Sequence, residues 1–170
     1  WGFSQLKDAA LLTLEVEKIA EEYGMTLKDA SAYNVQFENG KPVFIDTLSF
    51  KTQQNQPWMA YRQFCRHFIA PLALMKYTDI RLNQLMKNHI DGVPLDLASK
   101  LLPGRTYFSF GLLIHIHLHS KFQSIFREHQ GEETNLNMSA KMLSSIKRSL
   151  KSTVNALGKS DSTTQNRFDL

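Results

Sequence analysis

The tetrad ENGK at residues 38–41 limits the fold of this chain more than any other short segment does. Apolar runs at residues 35–37 and 42–45 flank it on both sides. A two-residue turn of type I′ requires positive φ at both central positions, and Asn-Gly is the pair that accepts this backbone most readily. The sequence therefore predicts a β-hairpin with Asn39 and Gly40 at its turn.

Polar residues lie at the open end of this predicted hairpin. Asp29 and Asn34 precede the first strand, and Asp46 follows the second. Because the two strands of a hairpin run side by side, we expect these two carboxylates and one amide to lie close together. Oxygen atoms of this kind are the ligands that hard divalent cations prefer. The sequence thus predicts a site that handles a divalent metal and a phosphate.

The spacing Asp29-x-x-x-x-Asn34, followed by FID at residues 44–46, resembles the catalytic loop and the metal-binding Asp of protein kinases and aminoglycoside phosphotransferases. This resemblance implies that Asp29 is catalytic and orients or deprotonates the acceptor hydroxyl. It also implies that Asn34 and Asp46 hold Mg²⁺ on the phosphates of ATP, with Ser31 as a further cofactor-binding residue.

The chain departs from the kinase pattern in three places. Leu27-Lys28 stands where protein kinases carry His-Arg, Ser31 where they carry Lys, and Thr47-Leu48 where they carry Phe-Gly. The sequence also shows no Gly-rich phosphate loop and no strand Lys paired with a helix Glu. The resemblance therefore implies a C-terminal lobe without its N-terminal lobe. Because such catalysis depends on positioning the nucleotide, we expect this lobe to be inactive alone, as a pseudokinase is.

A broader resemblance extends from about residue 1 to residue 119. The segments LKDASAYNVQF, KPVFIDTLSF and QPWMAYRQFCRHFIAPLAL are similar to the N-terminal part of bacterial nodulation-type proteins described as S-adenosylmethionine-dependent methyltransferases. In that family this part precedes the methyltransferase domain, and the glycines here are isolated rather than grouped in a methyl-donor loop. The resemblance implies that S-adenosylmethionine binds in a domain outside this chain, and that the partners are other domains of the parent protein.

Composition places the chain among ordinary globular domains. It has 170 residues, of which 42% are hydrophobic and 21% charged, so one domain with a real core is expected. The 20 basic and 16 acidic residues indicate no particular partner, and nucleic acid is not favoured. The single cysteine, Cys65, excludes an intrachain disulfide and fits a reducing cytoplasm. No apolar run reaches the ~18 residues of a membrane span. A start at Trp1 rather than Met indicates a piece of a larger protein.

Apolar residues three and four apart predict an amphipathic helix at residues 4–23, before the hairpin. Ser4 is the expected N-cap, and Gly24 the expected left-handed residue after the helix. The opposite face carries the acidic side chains that we expect in solvent: Asp8, Glu15, Glu17, Glu21 and Glu22.

The rest of the chain predicts further helices. A polar connector at residues 51–56 leads to a helix that begins at Pro57 and ends or kinks at Pro71. Later helices are expected at residues 78–89, 96–102, 109–129 and 137–157. The basic side chains of the last one, Lys141, Lys147, Arg148 and Lys151, have no acidic neighbours in sequence. We interpret them as a solvated face or a seat for another domain rather than as a nucleic-acid or membrane surface.

The segment HIHLH holds three histidines within the predicted helix at residues 109–129. His115 and His119 share a face at the i and i+4 spacing that can chelate zinc, whereas His117 points away. No adjacent Glu or Cys completes a metal site. Packing at a polar boundary is the favoured interpretation, and metal binding is the alternative.

Together these features predict a mainly α protein with one small β-hairpin, an α+β fold that forms a kinase-like C-terminal lobe at residues 1–157, with a polar tail or linker at 158–170. The predicted function is a kinase-like, degenerate module of a larger bacterial transferase, with a Mg-nucleotide site. The alternative is a non-catalytic scaffold or docking module for a partner or for the methyltransferase domain.

Overall fold

The computed structural model describes residues 1–53, 58–119 and 140–158, and the side chains of residues 140–143 are not described. The first half contains one long helix and four short strands: α1 (Phe3–Glu22), β1 (Met25–Leu27), a 3₁₀ turn (Ala32–Asn34), β2 (Val35–Glu38), β3 (Lys41–Phe44) and β4 (Phe50–Thr52). The strands form two separate antiparallel pairs, β1 with β4 and β2 with β3.

The second half is helical. Helix α2 has three consecutive segments, Tyr61–Phe64, a π-helical Cys65–Ile69 and Ala70–Tyr77. A 3₁₀ turn (Ile80–Gln84), α3 (Leu85–Asn88), α4 (Leu95–Leu101) and a further 3₁₀ turn (Gly104–Phe108) follow. Helix α5 joins Phe110–Leu112 to a π-helical Leu113–Leu118, and α6 spans Ala140–Leu157. The predicted α+β class, mainly helical with small antiparallel sheets, is confirmed.

The hairpin forms as the Asn-Gly pair predicts. Strands β2 and β3 pair in antiparallel register, with Glu38 opposite Lys41. The two residues between them have positive φ, 50° at Asn39 and 77° at Gly40. Both values belong to a type I′ turn, whose twist matches that of the flanking strands. The turn therefore sets the register that determines where residues before β2 and after β3 lie.

The second strand pair was not predicted. Met25 pairs with Thr52, and Leu27 with Phe50, so part of the expected polar connector at residues 51–56 is a strand. Each strand has only three residues, too few to show the alternation that identifies a strand in sequence. This pair ties the end of α1 to the segment after the hairpin, and it encloses the loop that contains Asp29.

Helix α1 matches its predicted extent but not its predicted cap. Gly2, rather than Ser4, is the N-cap, and its backbone N–H donates to Gln5 Oε1 at 3.0 Å. The helix thus begins earlier because the Gln5 side chain satisfies one of its first backbone donors. Gly24 has φ of 68°, which confirms the left-handed residue expected after the helix.

Helix α2 lies at the centre of the core, and its side chains Phe64, Phe68 and Leu72 are fully buried. The prediction for Pro71 named two alternatives, an end or a kink. The first was wrong, because the helix continues past Pro71 to Tyr77. Pro71 directly follows the π-helical segment and occupies the first turn of the next α-helical segment. Its missing N–H is tolerated there because hydrogen bonding changes from one helix type to the other.

Other predicted helices are shorter in the structure. The helix expected at residues 78–89 is a 3₁₀ turn followed by α3, because Asp79 Oδ1 accepts from the backbone N–H of Arg81 and caps a tight turn. The helix expected at 109–129 is described only to residue 119, and the start at Pro57 and residues 159–170 of the predicted tail lie outside the described residues. None of the helices within the three described ranges has the length and apolar character to cross a membrane.

Candidate functional site

Four side chains meet at the open end of the hairpin and are called the hairpin-mouth cluster: Asp29, Asn34, Asp46 and Ser49. Asn34 Nδ2 donates to Asp29 Oδ1 at 3.2 Å and to Ser49 Oγ at 3.2 Å. The Ser49 hydroxyl donates in turn to Asp46 Oδ2. The three residues that the sequence assigned to the acceptor and the metal are therefore joined in a single hydrogen-bond network.

The loop before β2 holds Asp29 and Asn34 in place. Asp29 Oδ1 accepts from the backbone N–H of Ser31 at 2.8 Å, and Ser31 Oγ accepts from that of Tyr33 at 3.2 Å. Both bonds are local side-chain to backbone bonds of the kind that Asp and Ser form in turns. Ser31 is buried and caps the 3₁₀ turn, so the structure shows it supporting the loop. Its assigned contact with a cofactor stays a prediction.

Asp46 is fixed on the other side of the cluster. The Ser49 hydroxyl and then the backbone N–H of Leu48, 2.9 Å from Asp46 Oδ1, hold the pKa of Asp46 below its usual range. The nearby Lys28 ammonium lowers the pKa further, whereas desolvation opposes the shift. Asp46 is therefore ionised at neutral pH, the state in which a carboxylate binds a cation.

Sequence reasoning missed Ser49. Its side chain is buried, and its backbone carbonyl accepts from the N–H of Lys28 at 2.8 Å. The signal that could have identified it is the spacing Asp46-x-x-Ser49, at which a carboxylate after a strand often accepts from a nearby hydroxyl and from the intervening backbone. Ser49 links Asp46 to Asn34, so it is the residue that completes the cluster.

The carboxylate and amide oxygens of the cluster are of the type that hard divalent cations prefer. Within the described part of the chain, no group of three or more His, Cys, Asp or Glu side chains could hold a metal. Mg²⁺ is commonly bound by one or two carboxylates, with phosphate oxygens and water completing its octahedron. Asn34 uses Nδ2 for both of its bonds in the cluster, so Oδ1 is the amide atom available for a cation.

His67 is buried behind this loop. Its ring packs edge-on against the ring of Tyr33, with centroids 5.8 Å apart. Neither ring nitrogen has a hydrogen-bond partner among the described residues. Burial, assisted by the charge of Arg66, lowers the pKa of His67 to about 4, although Asp29 and Asp91 act in the opposite direction. His67 is thus a neutral ring that supports Tyr33 at neutral pH.

The histidines of α5 are engaged in protein contacts. His115 is buried, with Nδ1 2.8 Å from the Tyr61 hydroxyl and Nε2 2.9 Å from Ser149 Oγ. His117 lies between two hydroxyls as well, those of Ser99 at 2.8 Å and Thr106 at 2.9 Å. Both nitrogens of these two rings therefore face hydroxyl groups, and the His119 ring packs edge-on against Tyr61 with centroids 5.5 Å apart, which agrees with the packing interpretation.

Two basic side chains of α6 have acidic partners in the structure, although none lies near them in sequence. Lys147 Nζ contacts the carboxylates of Glu17 and Glu21, the latter at 2.6 Å, and Lys151 Nζ lies 3.4 Å from Glu15. These acidic residues were expected in solvent on α1. Helix α6 packs along α1, so Lys147 and Lys151 are paired with carboxylates of that helix.

Glu17 is the most buried member of this ion-pair group. Its side chain is 1% exposed, and it accepts from the Thr26 hydroxyl at 2.7 Å and from the backbone N–H of Leu27 at 2.6 Å. A buried carboxylate requires a cation and hydrogen-bond donors to offset its lost hydration. Lys147 and these two donors together satisfy Glu17 and tie α1, β1 and α6 to one another.

Comparison with known proteins gives one informative likeness. The sequence is 42% identical over 125 residues to the nodulation protein NoeA of Rhizobium meliloti strain 1021. This chain is similar to a bacterial nodulation protein. The alignment covers 73% of this chain but 26% of NoeA, so the chain spans about a quarter of the length of that relative. No protein-family model matches the sequence, and no solved structure matches the chain. The likeness to NoeA supports the resemblance to nodulation-type proteins that the sequence suggested.

Proposed function

We propose that this chain is a kinase-like module of a larger bacterial protein, and that the hairpin-mouth cluster is its Mg-nucleotide site. The observation that supports this proposal is the hydrogen-bond network that joins Asp29, Asn34 and Asp46 at the open end of the hairpin. These are the residues to which the kinase resemblance assigns the acceptor hydroxyl and the metal. Their approach across 17 positions of sequence, from Asp29 to Asp46, depends on the type I′ turn between them.

Each member of the cluster has a distinct role in this proposal. The ionised Asp46 and the Asn34 amide oxygen would hold Mg²⁺, whose charge offsets that of the phosphates. Asp29, fixed by the Ser31 backbone and the Asn34 amide, would orient the hydroxyl of the acceptor. Ser49 positions Asp46, and Ser31 positions Asp29. The protein contributes orientation and charge, which are the main contributions that such sites make.

The test is a calorimetric titration of the natural full-length protein that contains this chain with Mg-ATP. We expect binding that requires Mg²⁺ and weakens at least tenfold, about 1.4 kcal/mol, in Asp46→Ala and in Asn34→Ala. The matched control is Asp8→Ala, which removes an exposed carboxylate from α1 and should leave binding unchanged. Absence of Mg-ATP binding in the wild-type protein would overturn the proposal.

The likeness to NoeA supports a wider inference about the parent protein. We infer from this likeness that it acts in nodulation. From the sequence resemblance to methyltransferases and the single cysteine, we further infer that it lies in the bacterial cytoplasm and that S-adenosylmethionine binds a domain outside this chain. The same calorimetric assay tests this division. S-adenosylmethionine should bind the full-length protein, whereas the isolated chain should show no binding.

A docking module for the rest of the parent protein is the alternative function. Two neighbouring phenylalanines favour it, because Phe108 is 92% exposed and Phe110 is 73% exposed. Large apolar side chains exposed side by side commonly mark interaction surfaces. The double variant Phe108→Ser/Phe110→Ser should weaken association of the isolated chain with the remainder of the protein. Unchanged association would exclude this surface as the docking site.

A further inference from the structure

A cavity of about 230 Å³ adjoins the loop that carries the hairpin-mouth cluster. One wall is formed by Ala32 and Tyr33 of the 3₁₀ turn, which lie between Asp29 and Asn34 in sequence. The other walls come from Trp1 at the start of the chain, from β2, and from the 3₁₀ turn and helix between α2 and α4. The cavity is therefore a neighbour of the proposed nucleotide site, built on the same loop.

Hydrogen bonds across the cavity fix its walls. The Tyr33 hydroxyl donates to the backbone carbonyl of Met86 at 3.3 Å, and Asn83 Nδ2 donates to that of Trp1 at 3.3 Å. The ring of Tyr33 is backed by the buried His67 ring, and the ring of Trp1 packs edge-on against Phe37 at 5.4 Å between centroids. The aromatic walls are thus held before any ligand arrives, which lowers the entropic cost of binding.

The lining combines aromatic faces with groups that both donate and accept hydrogen bonds. Trp1 is 41% exposed and Tyr33 49% exposed, so each offers ring surface to the cavity. Three amide side chains, Gln36, Asn83 and Gln84, lie around them, together with the ammonium of Lys87. An amide presents an acceptor oxygen and a donor NH₂ group, and an ammonium presents donors. No carboxylate is found among the described residues that line this cavity.

We propose that this cavity binds a pyranose sugar beside the loop that carries Asp29, which does not itself line the cavity. The inference goes beyond the proposed function, because this binding needs neither the nucleotide nor the metal. A pyranose ring has an apolar C–H face that packs on an aromatic ring and a rim of hydroxyls that pair with amides. The cavity is smaller than the roughly 300–1,000 Å³ of pockets for drug-sized ligands, so it accommodates a single sugar ring.

The test is ligand-observed saturation-transfer NMR with the methyl glycosides of hexoses, N-acetylhexosamines and hexuronic acids, and with adenosine as a planar alternative. The assay contains neither nucleotide triphosphate nor metal. We expect at least one glycoside to bind with a Kd on the order of 1 mM. Trp1→Ala and Gln36→Ala should each weaken that binding about fivefold or more, and both side chains are exposed, so the fold should persist.

Tyr23→Ala is the matched control, because Tyr23 is an exposed aromatic residue that does not line the cavity. Sugar binding that this variant retains and the two cavity variants lose would support the proposal. No glycoside binding, binding that is unchanged in Trp1→Ala and Gln36→Ala, or binding of adenosine alone would overturn it. Because the assay needs no nucleotide, its failure is distinguishable from failure of Mg-ATP binding, which depends on Asp46.

Discussion

Replacement of Lys147 by Met should destabilise the protein substantially, because it removes the cation beside a buried carboxylate. The side chain of Lys147 is 12% exposed and that of Glu17 is 1% exposed. Removing one partner of a buried ion pair typically costs about 3–5 kcal/mol. Glu17 keeps two other donors, the Thr26 hydroxyl and the Leu27 N–H, so we expect the lower end, about 3 kcal/mol.

The measurement is urea unfolding followed by far-UV circular dichroism, in which a change of midpoint at constant slope reports a change in stability. With a slope of about 1–3 kcal/mol per molar urea, the midpoint of Lys147→Met should fall by about 1–3 M. Lys151→Met is a closely matched control on the next turn of α6. Its partner Glu15 lies 3.4 Å away, and both side chains are about half exposed, so the loss should be about 0–1 kcal/mol.

A second substitution isolates the ion pair from the other contacts of Lys147. Glu17→Gln removes the buried charge, so its combination with Lys147→Met should cost less than the sum of the two single variants. We expect a coupling energy of at least about 1.5 kcal/mol. If Lys147→Met were no more destabilising than Lys151→Met, or if the two substitutions were additive, Glu17 would not depend on Lys147.

Two further predictions concern the turn and the buried histidines. Gly40→Val should lower the free energy of unfolding by about 1–3 kcal/mol in a thermal melt, because a valine is strained at the φ of 77°. No atom would crowd the new Cβ, so the backbone strain is the whole effect. Gly104→Val is the control and should have little effect, because that glycine has equally open surroundings and no positive φ. Burial lowers the pKa of His67 and of His115 from 6.5 to about 4. Between these pH values the unfolded chain therefore binds more protons than the folded chain. The stability that the neutral rings contribute is complete above pH 6.5 and should be lost as the pH falls toward 4. Each histidine should lower the free energy of unfolding by ~2 kcal/mol at pH 5. The double variant His67→Gln/His115→Gln should therefore lose less stability than the wild type between pH 7 and pH 5. An equal loss in both proteins would contradict the assignment of this pH dependence to the two histidines.

The elements that the sequence determined are those that depend on neighbouring residues. Asn39 and Gly40 accept positive φ without large strain, so the hairpin and its register follow from two adjacent residues. The register in turn brings Asp46 back toward Asn34, which is why part of the candidate site could be predicted. The extent of α1 follows from a periodicity that is repeated over five turns.

The features that sequence reasoning missed depend on contacts between distant residues. Glu17 occupies a charged face of α1 and was expected in solvent, yet Lys147, 130 residues later, covers it. The pairing of β1 with β4 likewise brings together two segments of three residues, each too short to show a pattern. Neither could be predicted, because local preferences do not show which segment covers a given face.

The hairpin-mouth cluster shows both kinds of information in one site. The spacing of Asp29, Asn34 and Asp46 identified its members, since the turn between them is a local property. Ser49, which joins Asp46 to Asn34, acquires that position from the β1–β4 pair that brings its backbone against Lys28. Backbone preference is encoded residue by residue, whereas burial and charge pairing depend on how the complete chain packs, and only the tertiary structure decides them.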